Sequence, residues 1–336
     1  MWNRIIKILV IIGVFGLSVF LFQGIDLAGA KDPDYPTKPI TFYIPFSAGG
    51  MTDSLMRPLL EATSKHVGQP FIPINKPGGS GTVGAIAVMN AKPDGYTLGG
   101  FVGNNVLIAP HIAECPYKDL SNFTLLLNFV KMYLPVIARS DAPFTTWKEF
   151  IEWARKNPRG AKIAFSGSKS RSPQSMAMWE VEQRERIEIT YMVFPGSAES
   201  LNALLGGHII MEVMNIDPTR MSYIKEGKFR ILAFLGKEKL PGYENIPSFQ
   251  ELYGFVAPSF IGVWSPNGLP NFVLEKLDDA FAKGVRDPNF INLMNRLYMP
   301  VVYMNRVEVN KEVGEMSKKV GEKLKILDAE EATQKK

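Results

Sequence analysis

Twice in its first hundred residues the chain runs from a short apolar stretch, across paired glycines, into a helix-like pattern. The first passage is ITFYIPFSAGGMTDSLMRPLL over 40–60, and the second is FIPINKPGGSGTVGAIAVMNA over 71–91. A strand that passes through a glycine turn into a helix also makes an anion site. The first helical turn has N–H groups without intrahelical partners, its dipole end is positive, and glycine lets a ligand come close to the backbone. Two such junctions about thirty residues apart point to one small anion gripped from two sides. A small carboxylate fits that description.

The alternation continues. Strand-like runs are expected at 40–45, 71–74, 96–102, 133–138, 162–166, 190–194, 209–213, 229–234 and 261–264. Helical runs are expected at 53–67, 82–90, 146–157, 172–185, 197–206, 221–227, 271–285 and 307–327. This order predicts a mainly parallel α/β fold. Thr52 or Asp53 is placed to cap the first helix, Thr82 the second, and Thr145 or Thr146 the third, with Glu149 completing a capping box. The length exceeds one typical core, so two lobes are expected: 31–127 with 234–336, and 128–233.

The N-terminus reads as an export signal. Arg4 and Lys7 precede an apolar run over 8–22, and Ala28-Gly29-Ala30 is a small-x-small exit. A run of that length is short of the roughly twenty residues a membrane span needs. Cleavage after Ala30 and a periplasmic location are expected, with an uncleaved anchor as the alternative. The net charge of +5 falls to +4 without Arg4, Lys7 and Asp26, a mild basic excess too weak for a nucleic-acid partner. The single cysteine, Cys115, allows no internal disulfide, and no Cys/His spacing suits a metal.

Enzyme motifs are lacking. Gly79-Ser80-Gly81-Thr82-Val83-Gly84 matches G-x-G-x-x-G in form. The dinucleotide fingerprint also requires a carboxylate about twenty residues on, where this chain has Val102-Gly103-Asn104-Asn105. There is no Walker lysine and no G-x-S-x-G elbow. A nucleotide-dependent enzyme is the distant alternative.

The segments YPTKPITFYIPFSAGGMTD, NKPGGSGTVGA, KPDGYTL, PGSAESLNALLGGHI, IKEGKFRILA and FIGVWSPNGLP occur in that order. Through them the chain resembles, from about residue 35 to about 310, the substrate-binding proteins of tripartite tricarboxylate transporters, the Bug-type periplasmic receptors. The resemblance implies a two-lobed, type II periplasmic-binding-protein-like fold with the ligand between the lobes. It implies a carboxylate held by Phe46, Ser47, Ala48, Gly49, Gly50 and Asp53 from one loop. Gly78, Gly79, Ser80, Gly81 and Thr82 belong to the other. Asp53 is expected to order a water against the carboxylate, or to cap its helix, or both. The implied partners are a large and a small membrane permease subunit; no cofactor, no metal and a monomer are expected. Closure of the second lobe over the ligand is the implied mechanism. A sensor signalling to a membrane kinase would use the same cleft and is the alternative.

The chain departs from that family in its second lobe. Where relatives carry a Gly- and Ser-rich segment ending near a His, it has SGSKSRSPQSMAM over 166–178, and Phe194-Pro195-Gly196-Ser197 replaces a usual Tyr-Lys-Gly-Ser. Ser166, Gly167, Ser168, Arg171, Phe194, Gly196 and Ser197 are the site residues expected there. Arg171, or less favourably Lys169, is expected to pair with a second carboxylate, because a planar guanidinium binds both oxygens at once. Phe46, Phe194 and Trp264 are expected to wall the cleft. Asn215 is expected to bond the ligand, with Asn104, Asn105 and Asp217 as further candidates. Di- and tricarboxylates and aromatic acids all fit this chemistry.

Overall fold

A computed structural model describes residues 34–111, 115–165, 172–194 and 197–334. The export signal at 1–30, Ser166, Gly167, Ser168, Lys169, Arg171 and Gly196 lie outside them. The elements below all belong to the unit Pro36–Lys336.

Two sheets organise the chain. The first has six strands in the order β11-β4-β10-β3-β1-β2, and the second has five in the order β7-β6-β8-β5-β9. The first is built from β1 (Ile40–Ile44), β2 (Phe71–Asn75), β3 (Thr97–Val102), β4 (Phe123–Val130), β10 (Ile261–Pro266) and β11 (Val301–Met304). The second holds β5 (Pro135–Arg139), β6 (Ala161–Phe165), β7 (Ile189–Val193), β8 (Met211–Val213) and β9 (Phe229–Phe234). The chain crosses from the first sheet to the second after β4 and returns after β9, so the fold is α/β with two lobes.

The sheets are mixed, which corrects the mainly parallel expectation. β1 pairs in parallel with β2 and β3, and β6 with β7 and β8. β10 runs antiparallel to β3 and β4, β11 to β4, and β5 to β8 and β9. A parallel neighbour requires a crossover, usually helical. β5 is instead reached through residues 131–134, directly from the other sheet.

The helices are α1 (Met51–Val67), α2 (Thr82–Met89), α3 (Trp147–Lys156), α4 (Pro173–Glu185), α5 (Ser197–Leu205), α6 (Pro218–Lys225), α7 (Phe249–Tyr253), α8 (Asn271–Gly284), α9 (Pro288–Arg296) and α10 (Arg306–Gln334). β4, β11, α7 and α9 were not among the expected runs. β4 is FTLLLNFV, buried at nearly every position, so it lacks the alternation that marks a half-exposed strand. α9 does carry a start signal: Asp287 accepts from the N–H groups of Asn289 and Phe290, and Pro288 occupies the first helical position. No helix among the described residues is long and apolar enough to cross a membrane.

Trp264 does not wall a cleft. It is fully buried and stacks on Phe123, with ring centroids 4.2 Å apart at 11°. Together with Phe101 and Tyr117 it forms the aromatic centre of the first lobe's core. α10 covers the same core through Val309, Val313, Val320, Leu324 and Leu327.

Candidate functional site

Both glycine turns lie at the ends of parallel strands, and both differ from the expected helix caps. α1 begins after Gly50, which has no side chain to cap with, so neither Thr52 nor Asp53 is the N-cap. Asp53 sits in the first turn and reaches backwards. Its Oδ2 accepts from the Gly49 N–H at 2.9 Å, and its Oδ1 accepts from Arg57 Nε at 2.8 Å and Asn75 Nδ2 at 2.9 Å. Asn75 closes the network: its Nδ2 also donates to the Phe46 carbonyl at 2.9 Å, and its Oδ1 accepts from Arg57 Nη2 at 2.8 Å.

Burial, at 5% exposure, pushes the Asp53 carboxyl up. Hydrogen bonds from Arg57, the Gly49 N–H and Asn75 outweigh burial, and the carboxyl sits below the ordinary aspartate value. The charge that looks paradoxical beside an anion is thereby committed to the protein. Ser47, Ala48 and Gly49 are exposed in front of it. The helical ladder begins only at the Ser54 N–H, which reaches the Gly50 carbonyl at 3.0 Å; the Gly50 N–H returns to the Ser47 carbonyl at 3.2 Å, so the N–H groups of Met51, Thr52 and Asp53 are the first-turn donors without an intrahelical acceptor.

The second turn is wound more tightly. Four consecutive residues have positive φ: Gly78 at 126°, Gly79 at 55°, Ser80 at 54° and Gly81 at 94°. Ser80 in the left-handed region costs about 1 kcal/mol. Asn105 supports it, donating from Nδ2 to the Ser80 carbonyl at 3.1 Å and accepting the Val102 N–H on Oδ1 at 3.1 Å. A Cβ on Gly81 would lie 2.5 Å from Asn105 Nδ2. Asn105 is fully buried and committed to the loop, which removes it from the ligand-bonding candidates.

The cap of α2 is Gly81 rather than Thr82, whose hydroxyl donates to the Gly79 carbonyl at 2.9 Å. The N–H groups of Gly81 and Val83 return to the Gly78 carbonyl. The two turns, alike in sequence, are therefore unequal: the second spends first-turn donors on its own carbonyls. Gly84 brings them together, since a Cβ there would stand 3.0 Å from Pro45 Cα.

On the second sheet a buried arginine holds two helix N-termini. Arg220, 1% exposed, donates from Nε to Glu212 Oε1 at 2.7 Å and from Nη1 to Asp217 Oδ2 at 2.5 Å. It also donates to the Ser197 hydroxyl and carbonyl, each at 2.9 Å. Asp217 is the N-cap of α6 and a partner of Arg220. The sequence reading missed Arg220, Arg57 and Asn75. The signal for Arg220 was the spacing Asp217-Pro218-x-Arg220 at a helix start; the other two had none in their own segments. Phe194 is half-buried against the second lobe's core, and Asn104 opens a π-helical turn, Asn104–Ile108.

One expected residue meets the first lobe directly. Asn215, just after β8, donates from Nδ2 to Met51 Sδ at 3.2 Å, and Met51 is the first residue of α1. The structure therefore brings Phe46–Gly50, Asp53 and Gly78–Thr82 to one edge and sets Asn215 against them. No cluster of metal-ligating side chains occurs among the described residues.

Comparison with known proteins agrees with this architecture. The model of the "Tripartite tricarboxylate transporter family receptor" matches residues 55–328. The UPF0065 protein in gbd 5'region of Cupriavidus necator is 30% identical over 293 residues, covering 87% of this chain and 88% of that protein. Among solved structures, a TctC solute binding protein from Polaromonas gives a TM-score of 0.75 at 25% identity, covering 87% and 99%. An R. palustris protein solved with adipate gives 0.73 at 23% identity, covering 87% and 98%, a likeness of fold. The chain belongs to the tripartite tricarboxylate transporter receptor family, whose members are periplasmic solute-binding proteins and not enzymes.

Proposed function

We propose that this receptor captures a small organic carboxylate between its two sheets and delivers it to a permease of one large and one small membrane subunit. In this reading the chain is exported, cleaved after Ala30, and works as a monomer whose lobes, 31–127 with 234–336 and 128–233, close on the ligand. The observation that carries the proposal is the exposed turn Ser47–Gly49 ahead of α1, with the nearby Asp53 charge already committed to Arg57 and Asn75. That leaves the positive end of the helix dipole facing a ligand.

Magnitudes require a second contact surface. Hydrogen bonds to a charged group contribute about 1.5–3 kcal/mol each and a helix terminus about 0.3–1 kcal/mol. Micromolar affinity needs about 8 kcal/mol net. The first loop anchors one carboxylate, with Gly78, Gly79, Ser80, Gly81 and Thr82 closing its side. Ser166, Gly167, Ser168, Arg171, Phe194, Gly196, Ser197 and Asn215 supply the rest from the second lobe, Arg171 pairing with a distal carboxylate. Arg171→Ala then weakens dicarboxylates about tenfold or more while sparing monocarboxylates; equal loss for both removes Arg171 from that role.

The test is a thermal-shift screen of ligand-free protein against mono-, di- and tricarboxylates, with adipate among them, and aromatic acids. A ligand at a hundredfold excess over its Kd stabilises by about 2.7 kcal/mol. No shift with any acid overturns the carboxylate reading. Delivery is tested by deleting the chain and following cellular uptake of the acid that gave the shift.

A further inference from the structure

We propose that a cavity between α4, α10 and the segment 249–258 is a second ligand site, which takes a small amphiphilic anion: one short hydrocarbon chain ending in a single negative charge. Its volume is about 310 Å3, at the small end of the range for ligand pockets, so it has room for one short chain rather than a two-chain lipid. None of its lining residues belongs to the two glycine turns or to the second-lobe positions expected at the cleft. In the chain α4 lies between β6 and β7 of the second sheet, whereas α10 covers the first lobe's core. An occupant of the cavity therefore meets a helix from each lobe.

The walls are apolar and only partly filled. Met176 and Ala177 of α4 and Val320 of α10 are buried at its floor. Phe255 and Met316 stand above them half-buried, so apolar surface faces water where the helices part. The helices are tied together one turn further along α4. Trp179 Nε1 donates to Glu330 Oε2 at 3.0 Å, and Glu180 is ion-paired to Lys323. A hydrocarbon chain seated on the floor removes that apolar surface from water, and the unbranched Met176 and Met316 can adjust to its shape.

The mouth is cationic. Lys323 Nζ and the Arg184 guanidinium lie 5.3 and 5.1 Å from the Phe255 ring centroid. Both also pair with the one carboxylate of Glu180, Arg184 at 2.6 Å. Lys319 lines the same mouth, is exposed, and has no hydrogen bond or ion pair among the described residues. Positive charge thus exceeds negative charge at the open end of an apolar space, and an ammonium takes a carboxylate or phosphate as a point charge. The adjoining recess differs. It sets Lys131 and Lys237 against Glu238 and Glu312, with Lys131 ion-paired to Glu238 at 3.1 Å, so its charges balance and the anion belongs beside Lys319.

Isothermal titration of ligand-free protein with octanoate tests this. Saturable binding is expected, and hexanoate is expected to bind tenfold more weakly or worse, because each buried methylene strengthens binding about fourfold. Octan-1-ol, which lacks the charge, is expected to bind at least fivefold more weakly than octanoate. Lys319→Glu is expected to weaken octanoate tenfold or more, and Met316→Trp, which fills the cavity, to abolish its binding. Lys319 is exposed, so its variant keeps the result decisive if Met316→Trp fails to fold. Neither substitution touches the glycine turns, so the outcome stands whether or not the cleft binds a carboxylate. No octanoate binding overturns the proposal. So does binding that is unchanged in Lys319→Glu or in folded Met316→Trp, which would place octanoate in the cleft or elsewhere. Attachment to phosphatidylglycerol vesicles that requires Lys319, without octanoate binding in solution, overturns it in favour of a membrane contact.

Discussion

The Asn75 amide nitrogen donates at 2.9 Å both to Asp53 Oδ1 and to the Phe46 carbonyl, so the last residue of β2 fastens the turn that opens α1. Register makes this possible: Asn75 pairs in parallel with Ile44, the last residue of β1. A polar side chain at a strand end thus fixes a neighbouring loop, adding to the bonds that Gly49 makes to Asp53 and Gly50 to the Ser47 carbonyl. Asn75→Leu removes both donations and leaves the buried Asp53 carboxylate short of a donor. The expected destabilisation is about 1–3 kcal/mol in urea unfolding, with weaker ligand binding in the same variant. Unchanged stability would remove Asn75 from this role.

Asp53 gives the fold an acid-side dependence. Its folded-state pKa lies below the ordinary value, so the unfolded chain takes up this proton first as the pH falls. The stabilisation is complete above about pH 4, the ordinary aspartate range, and is lost as the pH drops through the depressed folded value. The stability gap between wild type and Asp53→Asn is therefore expected to be largest near neutrality and to shrink towards pH 3. A gap that stays constant across that range contradicts the assignment.

The second loop separates two effects that glycine usually combines. At Gly81 both φ, 94°, and space forbid a side chain, since a Cβ would meet Asn105 Nδ2 at 2.5 Å. At Ser80 the conformation is left-handed but the residue is exposed. Gly81→Ala is expected to cost more than about 2 kcal/mol, combining backbone strain with displacement of Asn105. Ser80→Gly is expected to stay within about 1 kcal/mol of wild type, relief of strain offsetting the entropy of a new glycine. Calorimetric melting of both variants decides, and equal losses would mean the loop is insensitive to its own geometry.

What the sequence disclosed follows from range. Glycine turns, strand-to-helix junctions and the Thr146 cap of α3, which accepts the Glu149 N–H at 3.2 Å, depend on residues a few positions apart. They were legible. β4 was hidden because a strand buried on both faces has no period to detect. Asn105 looked available for a ligand because its partner, Ser80, lies 25 residues away. Trp264 looked like a cleft wall, although its stacking partner Phe123 was a hundred and more residues upstream. Family resemblance located the loops but could not tell that the second spends the Val83 N–H, a first-turn helix donor, on its own Gly78 carbonyl.

Arg220 offers a test that distinguishes holding the fold from holding the site. Its guanidinium joins Glu212 on β8, Asp217 at the start of α6 and Ser197 at the start of α5. Removing it alone, as in Arg220→Met, leaves the Glu212 carboxyl group at 0% exposure with Ser200 as its remaining hydrogen-bond partner among these contacts. Loss of one partner of a buried pair costs about 3–5 kcal/mol, whereas replacing both by apolar residues is often neutral. Arg220→Met with Glu212→Leu is therefore expected to recover most of the stability lost in the single variant. Ligand binding is not expected to recover, because Ser197 and Asp217 no longer share a partner and the two helix starts lose their common anchor. Urea unfolding read beside titration calorimetry separates the cases. Recovery of both stability and affinity in the double variant would show that Arg220 serves the core alone and that the second lobe presents its donors without it.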